Sequence, residues 1–216
     1  MKPTLSSTVI SVTSAAAALA TGAASSAATD TETLLKSIRS KDDKVRCAAW
    51  QNGGAVGAPA IEPLAALLVD ADTEVTRAAK RAMEKIVHHA GRPGAAAEAR
   101  EVETELIKLL KRDSPVIRRA AVWMLSEIGS DESVGPISVL LADAPVREDA
   151  RCALQRIPGD KSVNALKNAM KAASEEFKFA IADSLRKRGQ SVPGYPTKKL
   201  APTQTTQVKA AASPNK

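Results

Sequence analysis

Two tryptophans and five cations make up the most reactive surface chemistry this chain offers: Trp50, Arg77, Lys80, Arg81, Arg119, Trp123 and Arg151. Tryptophan and arginine are the side-chain types that concentrate binding energy at protein interfaces. The same spacing supports a second reading, in which Arg77, Lys80, Arg81 and Arg119 neutralise nucleic-acid phosphates. Bond-making chemistry finds less material. His88-His89 are adjacent, about 100° apart on a helix, whereas histidines that share a metal on a helix sit at i, i+4; a solvated helix end accounts for them. Glu175-Glu176 fit the first turn of a helix, where carboxylates complement the dipole. The sequence contains no Ser-centred elbow, phosphate loop or paired-cysteine metal motif. No catalytic residue, metal ligand or cofactor is therefore assigned.

The elements that position these side chains are repeats. Val45-Arg46-Cys47-Ala48-Ala49, Val75-Thr76-Arg77-Ala78-Ala79, Ile117-Arg118-Arg119-Ala120-Ala121, Val146-Arg147 with Ala150, and Phe177-Lys178 with Ala180-Ile181 are five versions of one phrase. Anchored on Ala49, Ala79, Ala121, Ala150 and Ile181, they are spaced by 30, 42, 29 and 31 residues, so one interval carries an insertion. A period near thirty with helical spacing predicts stacked helix pairs. Helix A of each pair is expected over 31–40, 60–68, 95–110, 134–141 and 162–173, and helix B carries the Val-Arg phrase. Asp43, Asp72, Asp113, Asp143 and Ser174 lie between them as short polar residues suited to stopping one helix and capping the next.

Advancing 100° per residue from the anchor, positions −4, 0, +4 and +7 fall on one stripe. It holds Val75, Ala79, Met83 and Ile86, then Ile117, Ala121, Leu125 and Ile128, then Val146, Ala150, Leu154 and Ile157. These are the expected core. Positions −2, +1, +2 and +5 form the opposite ridge, which carries the seven candidate residues with Arg186, Glu84, Glu148 and Asp183. Trp123, at 200° from the anchor, is the more exposed tryptophan in prediction, and Trp50, at 100°, can pack sideways. In the first unit Gly53-Gly54 fall within helix B and should make that pair the least stable, at about 1 kcal/mol per glycine. In the last unit Arg188 replaces the apolar +7 residue and suggests a polar outer face.

Five aromatic residues in 216 leave Ala, Leu, Ile and Val to build the core, which suits close-packed helices and predicts essentially no strand. The formal charge of +7 does not mark a nucleic-acid binder. Of the 31 basic and 24 acidic residues, 26 and 23 lie between positions 31 and 189, an ordinary solvated balance. Residues 1–30, with Lys2, an apolar run from Val9 to Ala20 and the Ala18-Leu19-Ala20 triplet, have the layout of a secretory signal or a disordered leader. Export to the periplasm or medium is one expectation and a cytoplasmic location the other. The run is too short and polar for a lasting membrane span. From Gln190 to Lys216 a Pro/Thr/Ala/Lys composition predicts a disordered tail. Cys47 and Cys152 fall three steps apart in the stack, beyond the Cα separation of about 7 Å that a disulfide allows.

The run Asp113-Ser-Pro-Val-Ile-Arg-Arg-Ala-Ala-Val-Trp-Met-Leu-Ser-Glu-Ile-Gly129 resembles a HEAT repeat, and the thirty-residue period is similar to the short subtype named after phycobilisome lyases. The resemblance covers residues 31–189. It implies an all-α, armadillo-like α-α superhelix, a right-handed solenoid of about five HEAT-like hairpins, with helix B lining the concave face. It further implies that Arg46, Arg118 and Arg147 pair with turn aspartates along the stack, a ladder that Thr76 breaks in the second unit. HEAT-type hydroxylases use several His-Glu pairs to hold two irons, and this chain has none. A lyase of the subtype would need a large aromatic-lined pocket, which five aromatics scarcely supply. A noncatalytic scaffold that receives a protein or peptide with some acidic character is the function these features favour, with nucleic-acid binding as the alternative and a lyase behind both.

Overall fold

The recurring apolar slots fold as two layers of helices. A computed structural model of the protein describes residues 30–197. Among the described residues there is no strand, and ten α-helices follow one another. They are α1 (30–38), α2 (Asp43–Asn52), α3 (Ile61–Ala66), α4 (Thr73–Ala90), α5 (Ala96–Leu109), α6 (Pro115–Ile128), α7 (Asp131–Val139), α8 (Arg147–Arg156), α9 (Asp160–Ala172) and α10 (Glu175–Lys187). The even helices pack in succession as one layer, and α3, α5, α7 and α9 pack as the other. The chain is an all-α solenoid. The leader lies outside the described residues, and no helix among those described is long and apolar enough to cross a membrane.

The core fills the space between the layers at repeating positions. Leu64, Leu106, Ile137 and Leu166 project from one layer and Met83, Leu125, Leu154 and Leu185 from the other, all essentially inaccessible. Each such side chain contributes about 1.5–3 kcal/mol on burial. The anchors Ala79, Ala121, Ala150 and Ile181 are fully buried, whereas Ala49 of the first unit is half-buried. Small anchors let successive helices approach closely, and the larger residue one turn away fills the gap.

Helix starts follow the expected chemistry at some turns and depart from it at others. Asp72 accepts from the Glu74 amide at 2.9 Å and caps α4, and Ser174 accepts from the Phe177 amide to cap α10. In the first unit the cap is Asp42, which accepts from the Lys44 amide at 2.8 Å, while Asp43 lies inside α2. Ser114 precedes α6 with Pro115 at its first position, and Val146 precedes α8. Asp113 and Asp143 are therefore not side-chain caps.

The turn ladder is real, but its rungs are of mixed chemistry. Arg46 donates to the Ser40 carbonyl at 2.6 Å, Arg118 to the Arg112 carbonyl at 2.7 Å, and the Thr76 hydroxyl lies 3.3 Å from the Asp70 carbonyl. Each donor reaches the carbonyl six residues before it. Thr76 thus fills the arginine's slot rather than breaking the series. The ionic links between turns come from Lys41 to Asp72 at 2.9 Å and from Arg118 to Asp143 at 2.8 Å. The Lys41 hydrogen bond holds the Asp72 carboxyl below the usual range, helped by the Glu74 amide. Arg46 pairs with Asp43 of its own turn. Arg147 departs from the ladder altogether: its guanidinium sits 4.9 Å from the centroid of the Phe177 ring.

Gly53 and Gly54 do not interrupt a helix. They open a 3₁₀ turn, Gly53–Val56, after α2 has ended. A Cβ on Gly54 would come within 3.0 Å of the Lys85 carbonyl and 3.2 Å of His89 Cβ, because this turn passes directly over the backbone of α4. Gly54→Ala is expected to cost about 1–3 kcal/mol through this overpacking. At Gly53 the obstacle at 3.1 Å is a terminal methyl of Leu34, which can move, so Gly53→Ala should cost less. Denaturant midpoints of the two variants give the comparison; equal midpoints would contradict it.

Arg188 also differs from its expected place on the outer face. It turns back into the stack and donates to the Leu154, Gln155, Ile157 and Gly159 carbonyls and to Ser162 Oγ. Beyond it, residues 190–197 lie against α10, with Val192 packed on the core. The remainder of the predicted tail lies outside the described residues.

Candidate functional site

The opposite ridge forms from slots −2 and +2 of the even helices, and slot +1 sorts differently. Slot +1 is mixed: Lys80 there is exposed and stays on the ridge, whereas Val122 and Ala182 are fully buried against the neighbouring helix. That explains Trp50, which is half-buried against the core with Arg81 stacked 5.1 Å from its ring centroid. Trp123 at +2 is 51% exposed. Arg156, from the next even helix, stacks 5.1 Å from its centroid. A cation placed over an indole contributes about 0.5–1 kcal/mol at an exposed site and limits how the ring can turn.

Trp123 separates two clefts. One, of 380 Å³, lies between α4 and α6 and is lined by Thr76, Lys80, Val116, Arg119 and Trp123, with Asp149 at its edge. The other, of 180 Å³, lies between α6 and α8 and is lined by Trp123, Glu148, Asp149, Cys152 and Arg156. Val116, 52% exposed, adds apolar surface beside the ring. A larger groove of 610 Å³ opens on the other layer along Pro63, Val69 and Leu109, but it has no aromatic lining and the Arg112–Glu62 ion pair spans its rim.

The candidate residues divide into two sets. Lys80, Arg119 and Trp123 line one cleft. Trp50 and Arg81 form a separate stacked pair, Arg77 pairs with Glu74 of its own helix at 2.7 Å, and Arg151 ties α8 to α10 by donating to Glu148 at 2.8 Å and Ser184 Oγ at 2.6 Å. Arg151, with 16% of its side chain exposed, is a structural brace. Arg119 is held by the Pro145 carbonyl at 3.0 Å and by Asp149 at 3.4 Å. Among the four cations of the phosphate-binding reading, Lys80 and Arg81 are the two without a carboxylate within ion-pair distance among the described residues.

Val116, Asp149 and Arg156 belong to this surface and were outside the sequence-derived ridge. Their signal is weak because it runs between helices. Arg156 reaches Trp123 across a gap of 33 positions, which no single-helix projection reveals. Elsewhere, His88 sits 3.2 Å from Glu127 and His89 3.8 Å from Glu98, so the two rings diverge toward different carboxylates. No group of three His, Cys, Asp or Glu side chains placed to hold a metal occurs among the described residues. Cys47 and Cys152 are unbridged and exposed.

No protein-family model matches this chain, and no curated protein matches it. Among solved structures, an engineered protein is 24% identical over 73% of this chain and 78% of its own, with a TM-score of 0.39. A designed armadillo repeat protein in complex with a (KR)4 peptide is 22% identical, with 71% and 80% covered and a TM-score of 0.41. At these scores neither likeness assigns a ligand or an activity to this chain.

Proposed function

We propose that this protein is a noncatalytic HEAT-type scaffold that holds an extended protein segment across its even helices, with an apolar side chain of the partner lodged beside Trp123. The observation that carries this reading is the half-exposed indole between two clefts, braced from behind by Arg156. A rigid aromatic flanked by depressions can be desolvated on both sides by one partner, which is how interface anchors gain their energy. Lys80, with no ion pair among the described residues, offers the position for a partner carboxylate. The recognition is then one apolar anchor and one acidic contact, rather than a broadly acidic ligand, since Arg77, Arg119 and Arg151 already have partners.

The test begins with a photo-crosslinking residue at Val116 in the full chain, expressed in its native host, with the captured partner identified by mass spectrometry. Affinity for that partner is then measured. Trp123→Ala should weaken it by roughly 30-fold or more, the scale of an anchor worth at least about 2 kcal/mol, while helicity is unchanged. Unaltered affinity would remove this surface from the function. A phosphate-backbone binder would instead lose affinity steeply with salt and respond mainly to Lys80 and Arg81.

A further inference from the structure

A chain of contacts that ends on Trp123 runs across the last turns of three successive even helices. His88 stands in the last turn of α4, Glu127 in the last turn of α6 and Arg156 at the end of α8. One oxygen of the Glu127 carboxyl group lies 3.2 Å from His88 Nε2, and the other lies 3.5 Å from the Arg156 guanidinium. Arg156 in turn stacks 5.1 Å from the Trp123 ring centroid. A carboxylate in the last turn of a helix opposes the helix dipole, so Glu127 sits at the unfavourable end of α6. Its charge is offset from outside that helix, by one permanent cation and by one imidazole that can become a cation.

The two contacts are unequal. At 3.5 Å the Arg156 hydrogen bond is at the outer limit of its kind, and Glu127, with 27% of its side chain exposed, has room to turn. A carboxylate only accepts, so neutral His88 meets it with the proton on Nε2. An imidazole changes charge between about pH 5 and 8, and a hydrogen bond that gains a charge on its donor shortens and strengthens. Protonation of His88 therefore draws the Glu127 carboxylate toward α4 and adds a positive charge that repels the guanidinium. Other charges around His88 are engaged or distant. On α5, Glu98 is bound by Arg92 at 2.6 Å, with His89 3.8 Å away, and the Arg92 hydrogen bonds hold its carboxyl below the usual range. Residues 47–60, the end of α2 and the turns that cross α4, contain no charged side chain, and Glu62 of α3 pairs with Arg112. Glu84 and Lys85 flank His88 on α4, outside ion-pair distance of it among the described residues. In the cleft beside Arg156, Glu148 pairs with Arg151 and Asp149 with Arg119.

We propose that Glu127 is a positioning residue of the binding surface, acting on Trp123 through Arg156, and that His88 makes this positioning sensitive to pH. With His88 neutral, Glu127 keeps the guanidinium over the indole and one orientation of the ring dominates. With His88 protonated, Arg156 is released, the ring turns more freely and the 180 Å³ cleft beside it opens. The freed guanidinium then joins Lys80 as a second cation for a partner carboxylate, so the partner is held more tightly in mild acid. This regulation rests on the scaffold reading, but the device itself operates on Trp123 with no partner bound.

In a Trp50→Phe background Trp123 is the sole indole, and its acrylamide quenching is followed from about pH 8 to about pH 5, with helicity monitored alongside. A cation over an exposed indole favours the stacked arrangement by roughly two- to fivefold, so its release should raise the quenching constant by about 1.5-fold or more. His88→Gln should remove the rise, whereas His89→Gln, whose imidazole faces Glu98, should keep it. Glu127→Gln should quench at the acid level throughout. A quenching constant that does not rise in acid overturns the inference. So does a rise that survives His88→Gln, or a Glu127→Gln variant as well protected as its parent at the upper pH. His88 is 64% exposed, so its replacement leaves the packing intact. Should Trp50→Phe lower the helicity, the same profile is read in the unmodified chain with Trp123→Phe as the blank. The scaffold reading fails separately, through a captured partner whose affinity ignores Trp123→Ala.

Discussion

Replacing Glu103 with alanine is expected to lower the unfolding free energy by about 2–4 kcal/mol, although this residue lies far from any candidate binding surface. Glu103 is on α5 and only 4% exposed, and its carboxyl group accepts from the Ser130 amide at 2.7 Å, the Ser130 hydroxyl at 2.9 Å and the Ser133 hydroxyl. It thereby completes the N-terminus of α7 from a neighbouring helix. That helix needs outside support: its sequence, Asp131–Val139, contains Gly135 and Pro136, both poor helix formers. Without the carboxyl group the fully buried Ser133 hydroxyl loses its acceptor in a tightly packed turn, while the donors of Ser130, an exposed residue, can turn to water. Gly129 enforces the tightness, since a Cβ there would sit 2.4 Å from the Leu125 carbonyl and 3.1 Å from Ser133 Oγ. Glu103→Gln keeps one acceptor oxygen and should cost about half as much. Chemical denaturation measures both; an alanine variant as stable as the parent would show that α7 holds its own N-terminus.

What the sequence displayed and what it concealed follow from the range of each interaction. The stripe of Ala79, Met83 and Ile86, repeated at Ala121 and Leu125 and again at Ala150, Leu154 and Ile157, was legible because burial depends on residue type at fixed helical angles. Trp123 was legible for the same reason: at 200° from a buried anchor it points away from the core and stays half-exposed. The partners of Arg119, Arg151 and Arg188 were not legible, since the Pro145 carbonyl, Ser184 and the end of α8 are brought to them by stacking rather than by local sequence. Hence the ridge looked more basic in the sequence than it is in the fold. Glu103 was hidden on the same account, as one glutamate on a polar helix face until α7 is placed above it. Gly53-Gly54 carried an ambiguous signal. A glycine pair reads as a weak helix whether it interrupts one or, as here, lets the chain cross the backbone of α4.

The second large effect is expected at Arg188, which closes the far end of the stack. α8 ends at Arg156, and its terminal carbonyls have no partners within the helix. The Arg188 guanidinium enters that end from α10, 3.3 Å from the Leu154 carbonyl, 3.2 Å from Gln155, 2.9 Å from Gly159 and 3.1 Å from Ser162 Oγ, with the Ile157 carbonyl as a further acceptor. A cation there also complements the negative end of the α8 dipole. One side chain thus joins α8, the loop that starts α9, and α10. Arg188→Leu keeps much of the side chain's bulk and removes every donor, and should destabilise the protein by about 2–4 kcal/mol. Arg188→Lys should recover only part of this, because an ammonium has three donors from one point where the guanidinium presents a planar fork. In a solenoid each unit depends on its neighbours alone, so the loss should be local. Amide hydrogen exchange is expected to quicken in α9, α10 and the end of α8 while α4 and α6 keep their protection. Uniform quickening along the whole chain would mean that the helix pairs unfold as a single block and that Arg188 is no local clamp.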